Sequence, residues 1–348
     1  MREQKSKHGD SMNIYGITPT ELEEYFKKSG ENPAKAALVF DGIYRKEVSE
    51  LSRLGFSDRV TSALLRDFSF ELPEVVERLS DGDTAKLLLK LSDGEFVETV
   101  LMRQHFGASI CVSTQIGCAM GCAFCQSGRL KRRRDLLPEE MVGQLVAVQR
   151  EFGVKIGNVS VMGIGEPFDN FENVRRFCEI LTAPKGLEIG EKHITVSTCG
   201  LVPEIRRFAE LNHPCNLAIS LHAPNNELRS RLMPINRRYP VEDVLDAAEY
   251  FSVKANRRVT LEYIMLSEVN DEPYHAEQLA KLIGDRRFYV NIIPYNPTEA
   301  EAFRKSSRER IMAFYDVLKK NGTRVTMRRE FGSELKAACG QLSADYEK

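Results

Sequence analysis

The sequence predicts an α/β fold in which a partial (β/α)6 barrel follows a small helical module. Six short apolar runs rich in Val, Ile and Thr alternate with helix-like stretches from about residue 108 onward. Five of these runs end in loops that carry Gly, Ser, His, Asn, Glu or Cys. Parallel barrels hold their chemistry at that end of the strands, so these loops predict a functional site there. An open doubly wound sheet is the less favoured alternative.

Composition limits the classes of protein that this chain can represent. Its 348 residues include 42% hydrophobic residues, which is enough for a large core. The net charge is −1, so any contact with nucleic acid must come from local basic patches. No apolar run reaches the roughly 18 residues of a membrane span, and the polar N-terminus lacks a signal-peptide core. We therefore expect a cytoplasmic protein, in which structural disulfides are rare.

Residues 1–100 are predicted to form the helical module. Thr18 or Thr20 can cap an amphipathic helix that starts this module. Two later runs, at 85–93 and 95–103, are predicted as strands that a turn at Gly94 joins into a short β hairpin. Two further helical segments are predicted at 33–46 and 48–55.

Residues 101–342 are predicted to form the barrel and a cysteine-bearing tail, and residues 343–348 a final short tail. The strand-like runs are short and apolar, as buried parallel strands are. We predict strands at 108–114, 158–163, 192–198, 216–221, 258–266 and 288–293, with a seventh at 323–329. We predict helices at 138–153, 171–183, 203–212, 240–253, 272–285 and 307–322.

Three of the eight cysteines follow the first barrel strand with the spacing C-x3-C-x2-C, at Cys118, Cys122 and Cys125. Structural zinc normally takes four ligands, and only Cys111 lies near these three in sequence. A four-iron, four-sulfur cluster held by three thiolates would keep one iron open for a substrate or cofactor. The spacing and its position favour the cluster, with zinc and buried thiols as alternatives.

Several motifs in order resemble the RlmN/Cfr family of radical S-adenosylmethionine RNA adenine methyltransferases. The resemblance runs from about residue 14 to 342 and therefore includes the helical module. The matching motifs are VETV at 97–100, CVSTQIGC at 111–118, CAMGCAFC at 118–125, MGIGEP at 162–167, SLHAPN at 220–225, LMPIN at 232–236 and ACGQL at 338–342.

The resemblance implies a barrel of the radical SAM type that binds one [4Fe-4S] cluster and S-adenosyl-L-methionine. Cys118, Cys122 and Cys125 would hold the cluster, and the methionine amino and carboxylate groups would chelate the open iron. Gly165 and Glu166 would meet the methionine amino end. The residues that would hold the rest of the cofactor are Ser197, Ser220, Leu221, His222 and Asn296. On the residues alone, Gly165 could merely turn the chain and His222 could be a core histidine.

The resemblance also assigns catalytic roles to Cys339, Cys111 and Glu98. Cys339 would take a methyl group from one S-adenosylmethionine, and a radical from a second one would remove a hydrogen atom from that methyl group. The methylene radical would add to adenine, and Glu98 would remove the ring proton. Cys111 would then attack the Cys339 sulfur and leave a transient disulfide that must be reduced. Without the resemblance, both cysteines read as buried hydrophobes and Glu98 as a surface carboxylate.

The other three cysteines, Cys178, Cys199 and Cys215, are expected in the core or in loops, and Cys199 is the less certain one because it falls in a strand-end loop.

A carbon radical suits adenine because C2 and C8 are electron-poor ring carbons, which are weak nucleophiles.

A basic run from Arg129 to Arg134 follows the cysteines, and Arg328 and Arg329 stand near the C-terminus. Such a run is often only a solvated face, but here it would lie where RNA phosphates need positive partners. The implied substrate is an adenine in a loop of 23S rRNA (adenosine 2503), which must leave its stack, and tRNA is a further candidate.

GEP and SLHAPN resemble the RlmN branch of the family, which implies methylation at C2. LMPINRRYP and VTMRREFG keep open C8 methylation of the Cfr type, which protects ribosomes from antibiotics. A non-catalytic, metal-bearing RNA-binding protein is the alternative of a different class. The resemblance further implies a flavodoxin-type electron donor, and we expect a monomer.

Overall fold

The computed structural model describes residues 11–45, 51–212, 214–298, 303–328 and 340–342, without the side chains of Leu51 and Ser52. Within these residues the fold is α/β, as the sequence predicts: helices alternate with the parallel strands of one large sheet. None of the helices in these ranges is long and apolar enough to cross a membrane.

The first α-helix of the N-terminal module is capped by Thr18 and not by Thr20. The Thr18 hydroxyl accepts a hydrogen bond from Glu21 N at 3.4 Å, and the Glu21 carboxylate accepts one from Thr18 N at 2.9 Å. This reciprocal pair satisfies two amide groups that the first helical turn leaves open. The module contains β1 (Met12–Asn13), α1 (Pro19–Lys28), α2 (Lys35–Phe40), a π-helical turn (Asp41–Arg45), α3 (Asp58–Asp67) and β2 (Phe68–Ser69).

Four antiparallel strands then lead into the barrel sheet. They are β3 (Glu74–Asp81), β4 (Thr84–Lys90), β5 (Phe96–Gln104) and β6 (Gly107–Cys111). The predicted hairpin is the β4–β5 pair. β5 crosses the predicted domain boundary between residues 100 and 101 and pairs with β6, so the sheet continues from one predicted unit into the next.

The barrel sheet continues from β6 through parallel strands. In the described residues the strand order is β14-β13-β12-β11-β10-β9-β6-β5-β4-β3, so β14 is the seventh strand that the sequence predicts. The remaining strands are β7 (Gln115–Ile116), β8 (Arg134–Asp135), β9 (Ile156–Val161), β10 (Ile194–Thr198), β11 (Asn216–Ser220), β12 (Val259–Met265), β13 (Phe288–Pro294) and β14 (Val325–Met327). The remaining helices are α4 (Pro138–Phe152), α5 (Phe171–Thr182), α6 (Val202–Ala209), α7 (Asn226–Leu232), α8 (Val241–Lys254), α9 (Pro273–Ile283) and α10 (Arg308–Lys320).

The main core lies between the sheet and its outer helices. Phe208 of α6 and Phe251 of α8 stack with ring centroids 5.7 Å apart, and both are buried. Cys178 and Cys215 belong to this core, in agreement with their expected packing role. Because the sheet strands β6 and β9 through β14 are parallel, the loops that follow them gather at one end of the sheet, where the candidate site lies.

Candidate cluster and cofactor site

Cys118, Cys122 and Cys125 lie on one loop between β7 and β8, which pair with each other and close its base. Cys118 N donates to Leu130 O at 3.2 Å within the loop. Ala123 N donates to Leu232 O at 2.9 Å, which ties the loop to the end of α7. The loop that carries the three thiols is therefore held by backbone hydrogen bonds from both sides.

The three cysteine side chains line one cavity of about 150 Å³. Burial raises the pKa of the Cys118 thiol to about 11 and the pKa of the Cys122 thiol well above its usual value. The neighbouring thiol of Cys125 raises both pKa values further. Metal binding must therefore displace protons from these thiols.

The donor set, three cysteines around one cavity, fits a four-iron cluster. No three His, Cys, Asp or Glu side chains of the described chain converge closely enough to hold one metal ion. A four-iron cluster takes one thiolate on each of three irons, so its ligands need not meet at a point. The three thiols on one loop therefore match the donor set that such a cluster requires.

Gly165 and Glu166 line the same cavity after β9. A Cβ atom at Gly165 would lie 2.7 Å from Gln115 Cβ, and φ there is +108°, so the close approach requires glycine. The Glu166 carboxylate accepts from Cys199 N at 2.8 Å and from Phe168 N at 3.1 Å. Burial raises the Glu166 pKa, although these amides and the Thr198 hydroxyl favour the charged form. Glu166 thus joins two strand-end loops at the cavity wall.

Ser197, Ser220 and His222 line the cavity from the next two strands. The hydroxyl oxygens of Ser197 and Ser220 lie 3.5 Å apart. His222 Nδ1 accepts from Ile264 N at 3.1 Å, which leaves the proton on Nε2. Burial, with help from Arg229, lowers the pKa of His222 to about 3, so the imidazole stays neutral near pH 7.

Two other predicted cofactor residues, Leu221 and Asn296, are buried but do not line the cavity. Two charged residues that line the cavity, Glu262 and Arg328, were not predicted as cofactor ligands. Glu262 of β12 is buried, and Asn291 Nδ2 donates to its carboxylate at 2.8 Å. Arg328 lies close enough to favour the charged form of Glu262. A glutamate inside the apolar run VTLEYIML is a signal that could have identified Glu262.

Glu98 and Cys111 lie on the neighbouring strands β5 and β6, and neither side chain lines the cavity. Val100, two residues from Glu98 on β5, is paired with Cys111 on β6, so Glu98 faces the same side of the sheet as Cys111. Glu98 is buried, and its carboxylate forms an ion pair with Lys86 Nζ at 2.7 Å. Glu98 is therefore a buried, paired carboxylate and not the surface carboxylate of the alternative reading.

The C-terminal segment returns to the cysteine loop. Gln126 N donates to Gly340 O at 2.8 Å, and the Ser127 hydroxyl donates to Leu342 O at 2.7 Å. The Leu342 side chain packs in an apolar cluster with Cys111. Cys339 lies outside the described residues, but the residue that follows it contacts the loop of the three cysteines.

Three of the basic residues after the cysteines form ion pairs within the protein. Arg132 pairs with Asp135, Arg133 with Glu95, and Arg134 with Asp93 and Glu140. Arg129 and Lys131 are exposed and form no ion pair with a described residue. Arg328 lines the cavity, and Arg329 lies outside the described residues. Only part of the predicted basic run is thus available to an external anion.

Comparison with known proteins gives consistent matches. The model of the Radical SAM superfamily matches residues 112–279. A probable dual-specificity RNA methyltransferase RlmN of Enterococcus faecalis is 47% identical over 345 residues, which cover 96% of this chain and 97% of that protein. A protein of Streptococcus thermophilus with the same description is 47% identical and matches 98% of this chain and 90% of its own. A crystal structure of a radical SAM methyltransferase from Sphaerobacter thermophilus superimposes with a TM-score of 0.90 at 39% identity, covering 96% and 100% of the two chains.

Proposed function

This chain belongs to the RlmN family of radical SAM RNA methyltransferases, and we propose that it methylates C2 of an adenine in 23S rRNA and of an adenine in tRNA. The enzyme uses a [4Fe-4S] cluster and S-adenosyl-L-methionine. When bound and reduced, the cluster supplies the electron that cleaves S-adenosylmethionine and so gives access to radical chemistry. We propose that Cys118, Cys122 and Cys125 hold the cluster.

The cavity beside the three cysteines supports the proposed cofactor site. Glycine at position 165 lets the backbone approach closely, and Glu166 offers a buried carboxylate near the site for an ammonium group. Ser197 and Ser220 supply hydroxyls, and neutral His222 has a free Nε2–H donor. We propose that these groups hold the methionine and nucleoside parts, together with the buried residues Leu221 and Asn296.

The observation that carries the catalytic proposal is the docked C-terminal segment. Gly340 and Leu342 contact the cysteine loop and the apolar surface around Cys111, so the backbone next to Cys339 lies at the site. We propose that Cys339 carries the methyl group, that Glu98 accepts the ring proton, and that Cys111 resolves the covalent adduct. The Lys86 ammonium keeps Glu98 in place on the face of the sheet that Cys111 shares.

Basic side chains beside the cysteine loop offer a surface for RNA phosphates. The exposed residues are Arg129 and Lys131 on that loop, and Arg231, Arg237 and Arg238 on the segment from α7 onward. The two segments touch, because Ala123 N donates to Leu232 O and a Cβ at Gly121 would lie 3.7 Å from Pro234. None of the five forms an ion pair with any residue in the described ranges. We propose that they position the RNA so that an unstacked adenine reaches the cavity.

The physiological setting follows from the same family assignment. We propose that the enzyme acts in the cytoplasm as a monomer and takes electrons from a flavodoxin-type donor. The Cys111–Cys339 disulfide must be reduced after each turnover, which suits a compartment that keeps thiols reduced.

Three cysteine variants test the catalytic proposal. Cys339→Ala should retain the absorbance of the cluster and transfer no methyl group to RNA. Cys111→Ala should accumulate a covalent protein–RNA adduct, detected as a shifted band in a denaturing gel. Cys178→Ala, which changes a buried cysteine of the core, is the matched control and should turn over. Methyl transfer by Cys339→Ala would contradict the covalent role of that thiol.

A further inference from the structure

Arg229 of α7 is a fully buried arginine beside the cysteine loop. Its guanidinium donates to Cys199 O at 2.5 Å, to Ser220 O at 3.2 Å and to Asn236 Oδ1 at 3.0 Å. Its Nε donates to Leu221 O at 3.1 Å. All of these acceptors are neutral, and no described Asp or Glu lies within ion-pair distance of this side chain.

A buried guanidinium without a counter-charge is costly, because carbonyl oxygens replace only part of the water that it loses. The pKa of Arg229 is lowered by this burial, while the neighbouring thiols of Cys199 and Cys122 oppose the shift. An arginine nonetheless stays charged in a folded protein. A negative partner near the guanidinium would therefore stabilise this arrangement.

Cys122 is the neighbour that can supply the negative charge. Cys199 contacts the guanidinium through its backbone carbonyl oxygen, which carries no net charge. Cys122, in contrast, is a proposed cluster ligand, and a ligating cysteine is a thiolate. The cluster loop and α7 are also joined directly, because Ala123 N donates to Leu232 O.

We propose that Arg229 is a positioning residue that balances the negative charge of the thiolate-bound cluster and raises its reduction potential. This inference rests on the proposed function. Three thiolates make the ligated cluster anionic, and the electron taken up on reduction adds another negative charge. A fixed positive charge nearby stabilises the reduced form more than the oxidised form. Arg229 would thus make the cluster easier for its electron donor to reduce.

The test compares anaerobically reconstituted full-length variants by redox titration monitored by electron paramagnetic resonance. Arg229→Gln removes the charge and keeps some hydrogen-bonding capacity, whereas Arg229→Lys keeps the charge and loses the planar fork. Arg231→Gln, on the same helix but exposed, is the matched control. We expect a more negative midpoint potential for Arg229→Gln, and values close to wild type for Arg229→Lys and Arg231→Gln.

The outcomes separate a charge effect from a purely structural one. Equal potentials in wild type and Arg229→Gln would overturn the proposal. If Arg229→Gln fails to retain a cluster while Arg229→Lys retains it, the need for charge is supported. If both fail, Arg229 only supports the loops and the proposal is wrong. A wild-type protein that holds a redox-active cluster but methylates no RNA would refute the proposed function and leave the Arg229 comparison intact.

Discussion

Replacing Leu342 with alanine should release the C-terminal segment from the site. Leu342 is 5% exposed and packs in the apolar cluster that contains Cys111, Val100 and Ile164. Truncating a buried leucine to alanine costs about 3 kcal/mol. Since each 1.4 kcal/mol is tenfold, the ratio of docked to released segment should fall about 100-fold.

Hydrogen exchange of a single amide measures the ratio of docked to released segment. Gln126 N–H donates to Gly340 O, so this hydrogen exchanges with solvent when the segment leaves. In Leu342→Ala the exchange of Gln126 should accelerate about 100-fold. The amide of Ala123 lies on the same loop and donates to Leu232 O, so it serves as an internal control and should not change.

Two further comparisons make this experiment decisive. Leu342→Met keeps most of the volume and should exchange like the wild type. RNA methylation should fall in Leu342→Ala while the iron content stays constant, because the segment also carries the proposed methyl-bearing Cys339. Unchanged exchange at Gln126 in Leu342→Ala would refute the docking that we describe.

Three other changes test separate parts of the site. Gly165→Ala should lower the free energy of unfolding by about 2–4 kcal/mol and weaken S-adenosylmethionine binding. Gly94→Ala is the control, because φ there is +88° but nothing lies within 4 Å of the added Cβ, so it should cost only about 1–2 kcal/mol. Calorimetry measures both effects, and equal costs would contradict the packing argument. Glu98→Gln should retain the cluster but accumulate the protein–RNA adduct on denaturing gels, and rapid product release would exclude Glu98 as the base. The pKa of His222 is about 3 in the folded protein and 6.5 in the unfolded chain. As pH falls below 6.5, the unfolded chain therefore binds a proton that the folded protein does not bind, and the free energy of unfolding decreases. Between pH 6.5 and 5, the free energy of unfolding of His222→Gln should fall by about 2 kcal/mol less than that of the wild type. Denaturant titrations of the two apoproteins measure this, and the same pH dependence in both would contradict the lowered pKa.

The elements with strong local signals were predictable from the sequence. Buried parallel strands are apolar runs, and the Thr18 capping box is a pattern of neighbouring residues. β3 was missed because it is a mostly exposed edge strand with charged residues. α7 was missed because its seven residues are mainly polar and follow a loop motif.

The contacts that complete the site join distant parts of the chain, and sequence patterns do not report them. The ion pair of Lys86 with Glu98, the packing of Leu342 against Cys111, and the neutral surroundings of Arg229 all depend on the folded arrangement. The basic run illustrates the same limit, because acidic residues from other segments neutralise Arg133 and Arg134.

The most direct test of the central claim is the identity of the methylated nucleoside. The reconstituted enzyme would be incubated anaerobically with a 23S rRNA fragment, a reductant and S-adenosylmethionine, and the digested RNA analysed by mass spectrometry against standards. We expect 2-methyladenosine. 8-Methyladenosine would instead identify a Cfr-type enzyme, and the absence of any methyladenosine from a protein that carries its cluster would contradict the proposed function.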